Sequence, residues 1–214
     1  HWMQYTLAKL TETQLWNYGS LTGWCTAFGA GFPLNDLYPP GGNILVIIFR
    51  IVTLGLIPFT RIYTFVVLFS YLLFAFLIYR IARNHFGRGA GLIMLVLLIL
   101  DGGAGMYFNW QQFFNTGLWN GGLGLACSLY AFSECARYKR LEGKSRWFVT
   151  ICISASVLLH PLFLIINTLW ISLLLISNLW SENKEIHWLQ AVLLGLGLSA
   201  FWWLPFLANR EWLF

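Results

Sequence analysis

Charge is what this chain has least of. Its 214 residues carry 13 basic and 8 acidic side chains, 10% of the total, against 58% apolar and 18% aromatic residues. The mean hydropathy is +0.67. So few charges could not keep so apolar a globule in water, and a soluble fold with 12 Trp and 18 Phe would need a core larger than its surface allows. A soluble enzyme, a coiled coil and a disordered tail are excluded, and the composition is that of a bilayer protein. The net charge of +5 is modest and collected in short loops. That pattern encodes membrane orientation and speaks against a nucleic-acid partner. Cysteine is also scarce: Cys25, Cys127, Cys135 and Cys152 show no CxxC spacing, and the last three stand in apolar stretches as small hydrophobes. The chain starts at His1 instead of Met and ends on Trp212, Leu213 and Phe214, so a piece of a longer protein is expected.

What is present is a series of apolar runs. Between Arg61 and Arg80 lie 18 uncharged residues. As a helix they rise about 27 Å, close to a hydrocarbon core of about 30 Å. Gly89 to Leu100 is a shorter run closed by Asp101, and glycines and asparagines interrupt residues 102 to 122, leaving 118 to 132 as a spanning stretch. Trp147 to Ser181, 35 residues, is too long for one span and must fold back near His160, Pro161 and Asn167. A last span runs from about Trp188 to Pro205. The expectation is an all-α transmembrane bundle of about six spans over residues 61 to 214, preceded by an extracytoplasmic loop with juxtamembrane helices over residues 1 to 60.

Two loops are strongly basic, one with Arg80, Arg83 and Arg88, the other with Arg137, Lys139, Arg140, Lys144 and Arg146. The positive-inside rule makes both cytoplasmic and puts residues 1 to 41 and 102 to 116 outside. Asn43 to Ile57 is apolar but short, with Arg50 at its middle, where a bilayer centre would cost about 2.5 to 3.5 kcal/mol. An interfacial or re-entrant helix is predicted there, with Arg50 reaching water, lipid phosphate or a carboxylate. Residues 2 to 16 have a narrow amphipathic stripe, Met3, Leu7 and Leu10 on one face and Tyr5, Lys9 and Glu12 on the other.

The polar groups assigned to the outer face are His1, Asp36, Tyr38, Asp101, Asn109, Gln111, Gln112, Asn120 and His160. Ionisable groups near lipid are costly and point to function, although Asp101 could cap a helix end and His160 could satisfy carbonyls freed by Pro161. The densest pattern is GAGFPLNDLYPPGG, residues 29 to 42, whose glycines and prolines fix an irregular path of the kind that builds pockets. Its Tyr38-Pro39-Pro40 turn holds a phenol suited to a sugar face or a lipid phosphate.

His1, Gly19-Ser20-Leu21, Trp24, Gly29-Ala30-Gly31-Phe32-Pro33 and Leu37-Tyr38-Pro39-Pro40, then a short apolar helix and a span ending Tyr79-Arg80-Ile81-Ala82-Arg83-Asn84-His85-Phe86-Gly87, resemble the N-terminal module of GT-C superfamily membrane glycosyltransferases. The resemblance is nearer to the bacterial 6-pyruvoyl-tetrahydropterin synthase-related and YfhO-type membrane proteins, and Leu198-Ser199-Ala200-Phe201-Trp202-Trp203-Leu204-Pro205-Phe206 also looks like theirs. It implies a multi-pass protein of the bacterial cytoplasmic (inner) membrane and a polyprenyl-phosphate-linked sugar donor at an outer-face site. An acidic base acts there, in some members with a divalent metal. Asp101 falls where relatives often place an acidic residue. In the family an Asp commonly precedes the histidine that matches His1, and this chain starts at that histidine. Asp36 as a base is read from this sequence itself. Asp36 and Asp101 are thus the expected catalytic residues, with His1, Tyr38, Asn109 and His160 binding substrate. The competing expectation is a non-catalytic membrane subunit of a larger complex, with the same fold.

Overall fold

A computed structural model describes residues 2–26, 31–36, 38–100, 112–137, 141–179 and 187–208, without the side chains of residues 112, 116 and 179. Its elements are α1 (Trp2–Tyr18), β1 (Gly23–Cys25), β2 (Phe32–Leu34), α2 (Gly41–Val52), α3 (Phe59–Phe86), α4 (Arg88–Leu100), a π-helical turn (Gln112–Thr116), α5 (Trp119–Arg137), α6 (Gly143–Leu159), α7 (Leu162–Leu179) and α8 (Trp188–Ala208). The fold is all-α apart from one antiparallel ribbon, in which Gly23, Trp24 and Cys25 stand opposite Leu34, Pro33 and Phe32.

Each apolar run becomes a helix, but the expected six spans are not supported. Among the described residues only α3, with 28 residues, and α8, with 21, are long and apolar enough to cross a membrane. They rise about 42 and 32 Å, whereas the 13 residues of α4 rise only about 20 Å. The 19-residue α5 is long enough but buries Asn120, Ser128, Ser133 and Glu134, so it faces protein on nearly every side. The long run at 147 to 181 breaks where expected. Before Pro161, His160 is forced into an extended backbone (φ −157°, ψ 133°), which ends α6 and starts α7.

Small residues let the helices approach closely. A methyl group on Gly124 of α5 would come within 2.6 Å of the Phe163 ring of α7, and one on Gly195 of α8 within 2.7 Å of the Thr150 carbonyl of α6. Thr150 Oγ1 donates to the Ala191 carbonyl at 3.1 Å, closing the same contact. At the centre, Asn167 is fully buried: its Oδ1 accepts from Ser128 Oγ at 2.6 Å and Trp170 Nε1 at 3.0 Å, and its Nδ2 donates to Ser156 Oγ at 2.8 Å. One amide thus joins α5, α6 and α7. The outer surface is apolar instead: α3 exposes Phe65, Leu68, Leu72 and Phe76, and α8 exposes Leu194, Leu198, Phe201 and Leu204.

The bundle has two chemically different ends. At one end, the described residues of 2–26, 31–36 and 38–52 meet the start of α3 through Tyr5 and Phe59, the start of α5 through Gln4 and Asn120, and the end of α8 through Asn35 and Trp202. At the other, Asn84 and His85 of α3 bond Glu134 and Ser133 of α5, at 3.1 and 2.7 Å. Arg80, Arg83, Arg88, Arg137, Lys144 and Arg146 belong to that second end.

Helix α2 has 12 residues and reaches about 18 Å, too short to cross a bilayer. A methyl group on Gly41, its first residue, would meet the Leu158 carbonyl near the end of α6, and its last turn leads within a few residues to the start of α3. Both its ends therefore lie at one end of the bundle. The helix stops before the predicted Ile57 because Leu54 and Gly55 take positive φ (49° and 71°). Arg50 reaches a carboxylate: its Nε donates to Glu12 Oε1 at 2.9 Å, and its Nη1 donates to the carbonyls of Gly55 and Ile57. Glu12 also takes Lys9 Nζ at 2.6 Å. The outward face predicted for Glu12 is corrected by this pairing: α1 buries Leu7, Ala8, Thr11 and Glu12, while Met3 is exposed.

The glycine contacts give a paired test. Gly195→Ala drives a methyl group into backbone and should cost about 1–3 kcal/mol. Gly197, two residues along with open space around it, should tolerate Ala or gain about 0.5–1 kcal/mol. Thermal unfolding of both variants in one detergent checks the contrast, and equal melting temperatures would refute the close α6–α8 approach.

Candidate functional site

The Gly/Pro-rich segment owes its path to Asn35. Its backbone is left-handed (φ 61°), a conformation that asparagine tolerates better than most residues. Its Nδ2 donates to Leu21 O at 2.6 Å and to Thr11 Oγ1 at 3.0 Å, its Oδ1 accepts from Asn43 Nδ2 at 2.8 Å, and its carbonyl accepts from Trp202 Nε1 at 3.0 Å. One residue, 5% exposed, therefore ties α1, the loop before β1, α2 and α8.

Two cavities flank this hub. The first, about 450 Å³, has Asp36 in its wall, with the loop Gly19–Thr22 on one side and Phe201, Trp202, Pro205 and Phe206 of α8 on another. The Trp202 and Phe206 rings are stacked, 5.1 Å between centroids at 20°. Pro205 has no N–H to give to the Phe201 carbonyl one turn earlier, so α8 brings a carbonyl without its helical partner to this wall. Ser20 Oγ donates to Thr22 O at 2.9 Å, which stiffens the rim. Burial raises the Asp36 carboxyl above the ordinary aspartate range, so it is a stronger base than a solvated aspartate.

The second cavity, about 650 Å³, is lined mainly by Trp2, Met3, Leu7, Phe32 and Pro33, with Gln4, Asn35, Tyr38 and Asn43 as its polar groups. Tyr38 meets His160 edge to face, 5.7 Å between ring centroids, and His160 meets Phe163 at 5.9 Å. Leu162 N–H donates to His160 Nδ1 at 3.3 Å, which assigns the ring proton to Nε2. Burial lowers the His160 pKa and raises that of Tyr38, so both are neutral at pH 7. His160 is therefore in part structural, holding the first turn of α7, with Nε2–H left as a donor.

Of the sequence-predicted residues, Tyr38 and His160 come together. Asp36, two positions from Tyr38, opens into the other cavity, whose lining includes neither of them. His1, Asp101, Asn109 and Gln111 lie outside the described residues. Asn120 is not a cavity group: it is 3% exposed, donates to Gln4 Oε1 at 3.3 Å, and occupies the space a side chain on Gly42 would need. Among the described residues no three His, Cys, Asp or Glu gather as metal ligands, and Asp36 is the carboxylate of its cavity. The groups that sequence reasoning missed are Asn35 and Trp202. An Asn among glycines and prolines is the one available signal for the first, and the Trp-Trp-Leu-Pro run marks the second without naming its partner. Comparison with family models, curated proteins and solved structures returns no match.

Two outcomes follow from this geometry. Asn35→Gly keeps the left-handed backbone but loses three side-chain hydrogen bonds, and should destabilise by about 2–4 kcal/mol. Asn35→Ala adds about 1–2 kcal/mol of backbone strain, so denaturant titration should rank wild type above Gly above Ala. For Asp36, a folded pKa above the ordinary 3.8 means that the native state holds its proton longer than the unfolded chain. Stability must fall as pH rises from 3.8 through the raised value, and that fall should vanish in Asp36→Asn. Parallel melting curves for the two proteins across this range would place the carboxylate in open solvent.

Proposed function

We propose that the chain is a multi-pass bilayer protein of GT-C type, crossing with α3 and α8 in a bacterial cytoplasmic membrane, and that it transfers a sugar from a polyprenyl-phosphate-linked donor to an acceptor outside the cytoplasm. The observation that carries this is the composition of the Asp36 cavity. The half-buried Phe206 ring, backed by the buried Trp202 stacked on it, offers an aromatic surface for the C–H face of a pyranose, while the hydroxyl-bearing Ser20–Thr22 rim and the Phe201 carbonyl offer partners for its hydroxyls. Asp36 lines the same cavity as an acceptor of raised basicity. In this reading the acceptor hydroxyl gives its proton to the Asp36 carboxylate as its oxygen bonds the anomeric carbon. The bond from that carbon to the phosphate oxygen breaks, and the lipid phosphate leaves with the electron pair. The neighbouring apolar cavity, with the Tyr38 hydroxyl at its edge, would accept the first part of the lipid chain. The bilayer placement is supported by the outward-facing apolar rows of α3 and α8 and by the basic end opposite the cavities, which orients the Asp36 end outward.

One observation favours the non-catalytic subunit of a larger complex as a second reading. No Lys or Arg lines the Asp36 cavity among the described residues, so nothing there is seen to hold a leaving phosphate. The discriminating experiment reconstitutes the full protein with a polyprenyl-phosphate sugar and follows transfer. Under the transferase reading Asp36→Asn lowers turnover about 10²–10⁴-fold with unchanged abundance and with melting in neutral buffer no lower than that of the wild type. Under the subunit reading the wild type gives no turnover, and Asp36→Asn changes only sugar binding, read by quenching of Trp fluorescence.

A further inference from the structure

The end of the bundle opposite the two cavities has its own construction. Two guanidinium groups are held there on aromatic faces: Arg80 Cζ lies 5.9 Å from the Phe76 ring centroid, and Arg146 Cζ 5.9 Å from that of Trp147. The Arg80 side chain also lies beside that of Tyr130, whose ring packs edge to face on Phe148 at 5.1 Å. This links α3, α5 and α6. The Nε of Arg80 and the Nε of Arg146 are both buried without a hydrogen-bond acceptor. These buried nitrogens are themselves closed to a ligand, but a half-buried guanidinium with an unpaired N–H is short of acceptors within the protein and can take an anion on its accessible side. The carboxylate near Arg80 is not enough to satisfy it, because Glu134 accepts from Asn84 Nδ2 at 3.1 Å and is 4% exposed, turned into the helix interface. Around these arginines, Phe86 and Trp147 are exposed as an aromatic rim, 79% and 53%. Lys144 is exposed one turn before Phe148.

We propose that this surface is a binding site for anionic phospholipid, with Arg80 and Arg146 taking the phosphodiester, Lys144 adding long-range attraction, and Trp147 and Phe86 entering the headgroup boundary. Cations with preset aromatic backing, short of acceptors within the protein, and exposed rings at the same end of the bundle fit a lipid phosphate better than a soluble anion, which would use the charge and leave the rings unpartnered. The proposal rests on the bilayer placement but not on sugar transfer, since it uses none of the residues of the Asp36 or Tyr38 cavities.

The test uses the full chain in neutral detergent, titrated with phosphatidylglycerol, phosphatidylcholine or inorganic phosphate, with bound lipid counted by native mass spectrometry. Phosphatidylglycerol should bind at least about tenfold more tightly than phosphatidylcholine, and affinity should fall with salt. Arg146→Gln and Lys144→Gln should each weaken it about fivefold. Arg80→Gln should do the same, and because it also loses the Tyr130 contact, the Arg146 and Lys144 variants decide the matter if it fails to fold. Equal binding of the two lipids, or loss of discrimination in none of the variants, overturns the proposal. Displacement of the lipid by millimolar inorganic phosphate overturns it in favour of a soluble anion. A chain that stays monodisperse without detergent and binds neither lipid overturns the bilayer placement as well.

Discussion

Asn35 is the point on which the arrangement at the cavity end depends. Four hydrogen bonds leave this one residue, toward α1, the loop before β1, α2 and α8. Amides at such a junction must all be satisfied, because a buried polar group without a partner costs about 1–3 kcal/mol. That cost is what gives the segment a single path. A chain of glycines and prolines has little side-chain area to bury, and apolar packing alone could not distinguish one course of residues 31–42 from its neighbours. The left-handed backbone at Asn35 also sends Asp36 to one side while Asn35 itself walls the other. Two cavities of different chemistry therefore stand back to back, and neither could be altered at this hub without moving the other.

The bundle below is held on a different principle. If its outer rows face lipid, burying apolar groups between helices gains little over leaving them in acyl chains, and close contact and polar pairing must supply specificity. The structure has both: glycines at the α5–α7 and α6–α8 crossings, and the Asn167 amide shared among α5, α6 and α7. Cys127, Cys135 and Cys152 are buried in the bundle with free thiols, as small hydrophobes. The glycines that make 102 to 122 look irregular in sequence are not all breakers, since Gly121 and Gly122 lie buried inside α5. Gly124 sits inside α5 because Phe163 needs its space.

What could be read from the sequence follows from how local each cause is. The helix break at Pro161 was legible because proline acts on its neighbour's backbone regardless of context. The long apolar span from Arg61 to Arg80 was legible because hydropathy is additive along a helix, although α3 runs on to Phe86 where Gly87 stops it. The fate of Glu12 was not legible. A helical wheel places charges outward by default, and only the arrival of Arg50, 38 residues later, makes burial of that carboxylate tolerable. The six-span expectation failed for a related reason: hydropathy marks where apolar helices begin, but tertiary packing decides which ones turn polar groups inward, as α5 does, or stop short, as α2 and α4 do. The candidate site was legible only in part. Tyr38 and His160 meet, whereas Asp36 faces partners on α8, 166 positions away at Trp202, that no local pattern could have paired with it.

That distance shapes how the Asp36 cavity could work. Trp202 is a buried strut: its indole N–H is fixed on the Asn35 carbonyl, and its ring backs Phe206 in the wall of the cavity that Asp36 also lines. Any shift of α8 must therefore break that bond of 3.0 Å or carry the 31–36 segment along. Pro205 adds to this dependence. It removes a helical N–H between Trp202 and the end of α8, which lets the last turn bend without breaking a backbone bond. A binding surface built on a bendable helix end but pinned at its base can widen at Phe206 while keeping Trp202 in place. Under the transferase reading, a cavity wall that must admit a sugar ring beside a fixed carboxylate needs that combination.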